Sequence, residues 1–232
     1  NVYREEKLRA IKIPIYQGYI GWRVLFIRPD AIEKFNQVKT INDLKKYTAV
    51  QRFDWADYEI LKDNLLPVEG NLSFVNHSKA VLDGLVDYFP RSVLEAESEI
   101  SETRNQQLII EPNLVLKYPS AHYFFVNKNN SALASVIEKG FQALIANGDY
   151  QALFNQYFGA SLKKLNLEKT QLSVDLELTK LYKENEGEFL LAIGEISARY
   201  ITQCVRTLVP MEMELEQLSK TGSQSPLIMN SN

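Results

Sequence analysis

Residues 123–148 read YFFVNKNNSALASVIEKGFQALIANG, and the fold is legible outward from them. The segment Tyr123–Asn127 is aromatic and β-branched and predicts a strand. From Ser131 to Ala146, the residues Leu133, Val136, Ile137, Phe141, Leu144 and Ile145 recur at helical spacing and form one apolar face. Asn147-Gly148 supplies a left-handed stop, and a shorter helix is expected after it, through about Phe158. A strand leading into an amphipathic helix is the building unit of an α/β sheet.

The same alternation runs back towards the N-terminus. Trp22-Arg23-Val24-Leu25-Phe26-Ile27 reads as a strand. Thr40, with Asp43 three residues on, reads as a capped helix start. Tyr47 to Gln51 predicts a short strand, and Asp54 a cap for a helix through about Asn64. Leu72–Val75 and Leu85–Phe89 predict strands, with a helix opened by Ser78 between them. Ser92 to about Arg104 predicts a helix. Leu108–Ile110 and Leu114–Leu116 are further strands. The expected class is α/β, with helices on the sheet faces. Beyond about Asp175 strand signals fade, and two or three helices are expected as far as Lys220. Thr221 to Asn232 is Ser/Asn/Gly-rich and reads as a loose tail.

Composition narrows the functions. The 232 residues are 45% hydrophobic and 24% charged, which excludes wholesale disorder. That length accommodates one large domain, or two small ones with an extension. A net charge of −3 argues against a dedicated nucleic-acid binder. No apolar run is long enough to span a bilayer. Cys204 is the sole cysteine, and His77 and His122 are the only histidines. A disulfide framework, a multi-cysteine zinc site and a His-rich metal site are therefore excluded. Phosphate-loop, dinucleotide, zincin and nucleophile-elbow motifs are absent, so neither a cofactor nor an enzymatic reaction is expected. Cys204 reads as a small buried hydrophobe, His77 as a solvated turn residue and His122 as structural. Glu95 and Glu99 share a helix face and read as solvated charge. The chain opens on Asn1-Val2-Tyr3-Arg4 without Met or an apolar leader core; a removed leader, or a start inside a larger gene product, is the expectation.

Arg4, Tyr16, Arg23, Trp55, Tyr88 and Arg91 all fall at strand ends or in connections next to strands. In open α/β sheets, ligands sit beyond the carboxyl ends of strands. Arginine can grip a carboxylate there, and an aromatic ring can pack against the rest of a small ligand.

The order of several segments resembles the type-2 periplasmic solute-binding proteins, in the branch of amino-acid-binding components of ABC importers. Residues 4–16, REEKLRAIKIPIY, resemble that family's ER-x-x-x-[LIV]-x-[FI]-x-x-P-Y-Y segment. Ile41-Asn42-Asp43-Leu44-Lys45-Lys46, with Ala49-Val50-Gln51, and Lys79 through Tyr88 resemble two further family segments, and Tyr123 through Phe154 resembles the return strand and its helices. The likeness covers roughly residues 1–160. It implies two α/β lobes joined by two crossovers that close on a ligand. Lobe 1 would comprise residues 1–24 and 118–165, lobe 2 residues 25–117, with a helical extension at 166–220 and the tail at 221–232. The family's usual opening elements of lobe 1 have no counterpart, so the resemblance implies an incomplete first lobe with an exposed strand edge.

Carried over residue by residue, the family's carboxylate-binding arginine matches Arg4. Its ammonium-binding aspartate is matched by Ser92, with Arg91 beside it. Its small residues at the lobe-2 helix start are replaced by Arg52-Phe53-Asp54-Trp55. The expected ligand is a small polar or anionic, carboxylate-bearing solute touched by Arg4, Tyr16, Arg23, Trp55, Arg91 and Ser92. The resemblance further implies a periplasmic location and an ABC permease or receptor as partner. A ligand-sensing domain of a signalling protein and a degenerate remnant without ligand are the alternatives.

Overall fold

Strand β2, Trp22–Ile27, is almost entirely buried and apolar except for Arg23, as a strand covered on both faces must be. The computed structural model describes residues 6–170 and 172–176. Around β2 it assembles a sheet. On one side β2 pairs antiparallel with β5, Phe89–Ser92; on the other it pairs antiparallel with β6, Ile109–Ile110, and β7, Leu114–Lys117. Strand β9, Leu172–Asp175, then adds in parallel to β7, giving the order β5-β2-β7-β9 with β6 off that path. Strand β3, Ala49–Val50, pairs in parallel with β4, Val68–Glu69, and a bridge from Ala49 to Tyr88 sets it beside the entry to β5. Strand β1, Leu8–Ile11, pairs antiparallel with β8, Phe124–Asn127.

The pleat of β2 feeds two cores. Val24 and Phe26 join Phe89, Val93 and Leu94 in a cluster that continues through Tyr16 and Ile20 to Phe141, Tyr150, Phe154 and Phe158. The last four sit in and just after α6, Ser131–Ala146, and α7, Asp149–Phe154. Leu25 and Ile27 join Phe35, Leu44, Ile60, Tyr88 and Leu116 on the opposite face. That side is covered by α1, Ile32–Asn36, α2, Ile41–Leu44, and α3, Ala56–Asp63. The class is α/β, with helices over both sheet faces. The remaining helices are α4, His77–Leu82, α5, Ala96–Glu99, and α8, Ala160–Leu165; the last follows α7 through a π turn at Asn155–Gly159. Among the described residues no helix is long and apolar enough to cross a membrane.

Local signals act where expected at the capping box. Thr40 Oγ1 accepts from the Asp43 amide at 3.2 Å, and Asp43 Oδ2 accepts from the Thr40 amide at 3.1 Å. Elsewhere tertiary contacts override them. Asp54 does not cap α3: its carboxylate is held by Arg52 at 2.7 and 2.5 Å, and Trp55 is the residue before the helix. No strand forms over 72–75, because β4 already occupies the β3 edge; Phe74–Asn76 is a 3₁₀ turn instead. The strand expected over 85–89 begins only at Phe89. Gly84, at φ +73°, turns the chain there and leaves Leu85 72% exposed. The helix expected over 92–104 contracts to α5, after which the Glu99 carbonyl accepts from the Glu102 amide at 3.0 Å in a tighter turn and from the Asn105 side-chain amide at 2.5 Å. Arg4, Cys204 and the helices and tail expected after Asp175 lie outside the described residues.

Gly21 marks where the chain entering β2 meets the chain leaving β7. The Tyr118 amide donates to the Gly21 carbonyl at 3.1 Å. A Cβ at position 21 would lie 2.1 Å from the Tyr118 carbonyl oxygen and 2.7 Å from Ser120 Cβ. The nearest of these is backbone, and Tyr118 Cδ2 adds a third contact at 3.2 Å, so the chain itself would have to shift. Gly21→Ala is expected to destabilise the protein by about 1–3 kcal/mol, lowering the calorimetric melting midpoint by several degrees. An unchanged midpoint would mean that the two segments are not in this contact.

Candidate functional site

Three strands present their carboxyl ends together at one end of the molecule: β3 followed by Gln51 and the Arg52–Trp55 loop, β5 ending in Arg91-Ser92, and β7 followed by Tyr118. The amino end of β2, with Arg23 opposite Ser92, lies among them. Arg23, Trp55, Arg91 and Ser92, widely separated in sequence, are therefore brought to one sheet end.

The pleat splits them between faces. Arg23 points to the β2 face that carries Leu25 and Ile27. Its Nε donates to Tyr118 Oη at 2.7 Å and lies 2.7 Å from Asp57 Oδ1, and its Nη2 donates to Asp57 Oδ2 at 3.1 Å. Tyr118 Oη donates in turn to Asp57 Oδ1. Arg91, opposite Val24, points to the other face. Its Nε and Nη2 donate to the two carboxylate oxygens of Glu99, each at 2.5 Å, and Nη2 also donates to Glu95 at 3.2 Å. Its guanidinium carbon lies 5.0, 5.4 and 5.7 Å from the ring centres of Phe89, Trp55 and Phe74. Fork-shaped pairing and aromatic stacking are both specific to arginine.

Burial opposes the charge on both guanidiniums, but the facing carboxylates outweigh it and push both pKa values up: Asp57 with Tyr118 for Arg23, and Glu99 then Glu95 for Arg91. Burial likewise holds the Tyr118 phenol well above its ordinary value. Two guanidiniums thus face three buried carboxylates. The idea of Arg23 and Arg91 reaching out to a ligand anion is corrected accordingly, since both forks are engaged inside the protein. Glu95 and Glu99 are likewise not solvated charge but Arg91's partners.

Of the described candidates only Trp55 is partly open to solvent. Arg91 is 2% and Ser92 0% exposed, and Ser92 Oγ accepts from the Leu94 amide at 3.3 Å. Tyr16 stands apart from the group, buried against Phe158 and His122 at ring distances of 5.9 and 5.4 Å. Tyr88 is buried below β3 against Phe35. His77 is not a solvated turn residue. It opens α4 fully buried, with Nε2 3.1 Å from the Leu72 carbonyl and its ring edge-on to Phe89, Phe74 and Trp55. Sequence reasoning missed Asp57 and Tyr118. Arg91 lies on β5 while Glu95 and Glu99 lie at the two ends of the following helix, so no single-element spacing signalled their pairing.

A separate open cleft of about 880 Å³ lies beside this sheet end, lined by Tyr19, Trp22, Lys117, Lys163, Asn166 and Thr170 among others. Trp22 and Lys117 are cross-strand partners on its floor, with Lys117 Nζ 3.8 Å over the indole.

No family model matches the sequence, and no curated protein does. In structure, the chain is similar to a mutant of ArgBP from T. maritima, at 20% identity over 68% of this chain and 65% of that one, with a TM-score of 0.47. It is similar to an amino acid ABC transporter substrate-binding protein from Streptococcus pneumoniae bound to L-arginine, at 19% identity over 67% and 62%, with a TM-score of 0.49. It is also similar to the L-cystine solute receptor of Neisseria gonorrhoeae in its unliganded open conformation, at 18% identity over 68% and 63%, with a TM-score of 0.46. The chain thus spans under two thirds of the length of each.

Removing Arg91 would leave two carboxylates buried without their counter-ion. Arg91→Ala is expected to cost about 3–5 kcal/mol in chemical denaturation, and adding Glu95→Gln and Glu99→Gln to recover part of that loss. No recovery would mean that packing, not charge, sets the cost. His77 gives a pH signature. Burial lowers its pKa below the ordinary 6.5, so the folded state resists a proton that the unfolded chain accepts. Its contribution to stability is complete above about pH 6.5 and falls as pH drops below that. His77→Phe is expected to flatten the stability profile between pH 7 and 5; profiles of identical slope would refute the assignment.

Proposed function

We propose that this chain is a non-enzymatic binding module for a small polar or carboxylate-bearing solute, serving as the substrate-binding component of an ABC-type importer in the periplasm. The solute is held between two lobes, residues 1–24 with 118–165 and residues 25–117. The observation that supports this reading is the gathering of Trp55, Ser92, Arg23 and Arg91 at the carboxyl ends of β3 and β5, where α/β sheets place their ligands. In this arrangement Trp55 is the contact surface. Arg23, Arg91 and Ser92 act through it: they lock the strand ends and the start of α3 with bonds that need no ligand. Arg4 supplies the grip on a ligand carboxylate, and Tyr16, buried against Phe158 and His122, acts only as support in the core. A permease that receives the solute is the implied partner.

One observation favours a second reading, a scaffold that has lost its ligand. Four of the five described candidates are buried, and both of their guanidiniums are neutralised internally. Thermal unfolding against amino acids, dicarboxylates, keto acids and short peptides separates the two. A true ligand at about 100 times its Kd is expected to add about 2.7 kcal/mol to stability, and Trp55→Ala to remove that shift. A cooperative melt that no compound moves would favour the scaffold.

A further inference from the structure

The cleft beside Trp22 is built from different residues and faces a different wall. Its floor is the β2–β7–β9 edge, represented by Trp22, Lys117 and Ser173; its wall is the end of α8 and the turn after it, with Lys163, Asn166 and Thr170. At about 880 Å³ it lies within the size range of small-ligand sites. Its chemistry is not that of a random surface dent. Two aromatic rings, Tyr19 and Trp22, stand 5.1 Å apart at 53°. The half-buried Lys117 ammonium sits on the Trp22 face, and Lys163 enters from the wall. Leu162 and Leu167 add apolar surface, and Thr170, Ser173 and Asn166 add hydrogen-bonding groups. Among the described lining residues Glu168 is the one acid, set against two lysines.

We propose that this cleft is a second binding site, independent of the one at Trp55, and that it takes a small aromatic carboxylate. A carboxylate that pairs with Lys117 is drawn to the Trp22 end of the cleft, because the ammonium lies over that ring. The ligand ring then packs against Tyr19 and the part of Trp22 that Lys117 leaves uncovered, gaining aromatic contact area, with Lys163 among the wall residues. A neutral ring would keep the stacking and lose the ion pair. An aliphatic acid would keep the pair and lose the stacking. Both halves of the ligand are therefore required.

The chain has two tryptophans, Trp22 and Trp55, so Trp55→Phe leaves Trp22 as the sole indole reporter. Titrating this variant with 4-hydroxyphenylacetate under selective tryptophan excitation is expected to give saturable quenching. The neutral 4-hydroxyphenylacetamide and the aliphatic cyclohexylacetate are each expected to bind about tenfold more weakly or worse. Lys117→Gln should weaken the acid by a similar factor without affecting the amide. Lys163→Gln, on the exposed end of α8, tests the same charge if the first variant fails to fold. Calorimetric titration of the unaltered chain supplies the affinity without any substitution. Non-saturable quenching, equal affinity for acid and amide, or no effect of either lysine substitution would overturn the proposal. Equal affinity in Trp55→Ala would keep the two sites distinct, so a failure here leaves the reading at Trp55 standing, and the reverse also holds.

Discussion

The pleat of β2 divides the molecule. Val24 and Phe26 enter one core and Leu25 and Ile27 the other, so neither face of the strand can meet water. The helices divide between the two sides: α1 to α3 on the face of Leu25, α6, α7 and the π turn on the face of Val24. The same alternation decides which end residues go where. Trp22 faces the cleft and Arg23, one position on, faces Asp57. A register slip of one residue would exchange them, placing a guanidinium in the cleft and an indole on a carboxylate. The central strand therefore sets the core and also assigns chemistry to each side of the sheet end.

The two arginines at that end show how buried charge is tolerated. Each guanidinium loses its hydration, and each recovers it through a matched fork: Asp57 with Tyr118 on one face, Glu95 with Glu99 on the other. Such networks contribute less to net stability than to uniqueness, because few alternative packings satisfy all their donors. Here they tie β5 to α5, and β2 to α3 and to the exit of β7. The half-open Trp55 is set by this network, with Arg91 beneath its ring.

The legible parts of the sequence were those that rest on near neighbours. The strand Trp22–Ile27 and the helix Ser131–Ala146 stand where their periodicity puts them, and Thr40 with Asp43 forms its box. The misread parts depend on partners far along the chain. Leu72–Val75 has strand composition but no free edge to join. Helix α5 ends in a tighter turn joined by Asn105, whose reach to Glu99 exists only once the chain has turned back. The candidate site follows the same rule. Sequence placed Arg23, Trp55, Arg91 and Ser92 near strand ends, where they are. It was silent on burial, because that depends on Asp57, Tyr118 and Glu99 arriving from other elements. The cleft at Trp22 is harder still, since its wall begins more than forty residues after Lys117.

The contact at Gly21 also bears on how the chain is threaded. Residues 22–117 leave from Gly21 and return at Tyr118, and those two points are joined by one backbone hydrogen bond. The whole intervening stretch is a loop whose mouth is already closed. Its closure continues from the glycine into the β2–β7 ladder, where Trp22 pairs with Lys117 and Arg23 with Leu116, so the entropy of closure is met by the whole pairing. A chain arranged in this way accepts length changes inside the loop without moving its mouth. It cannot accept bulk at the mouth itself, where a methyl group on Gly21 would meet the Tyr118 carbonyl.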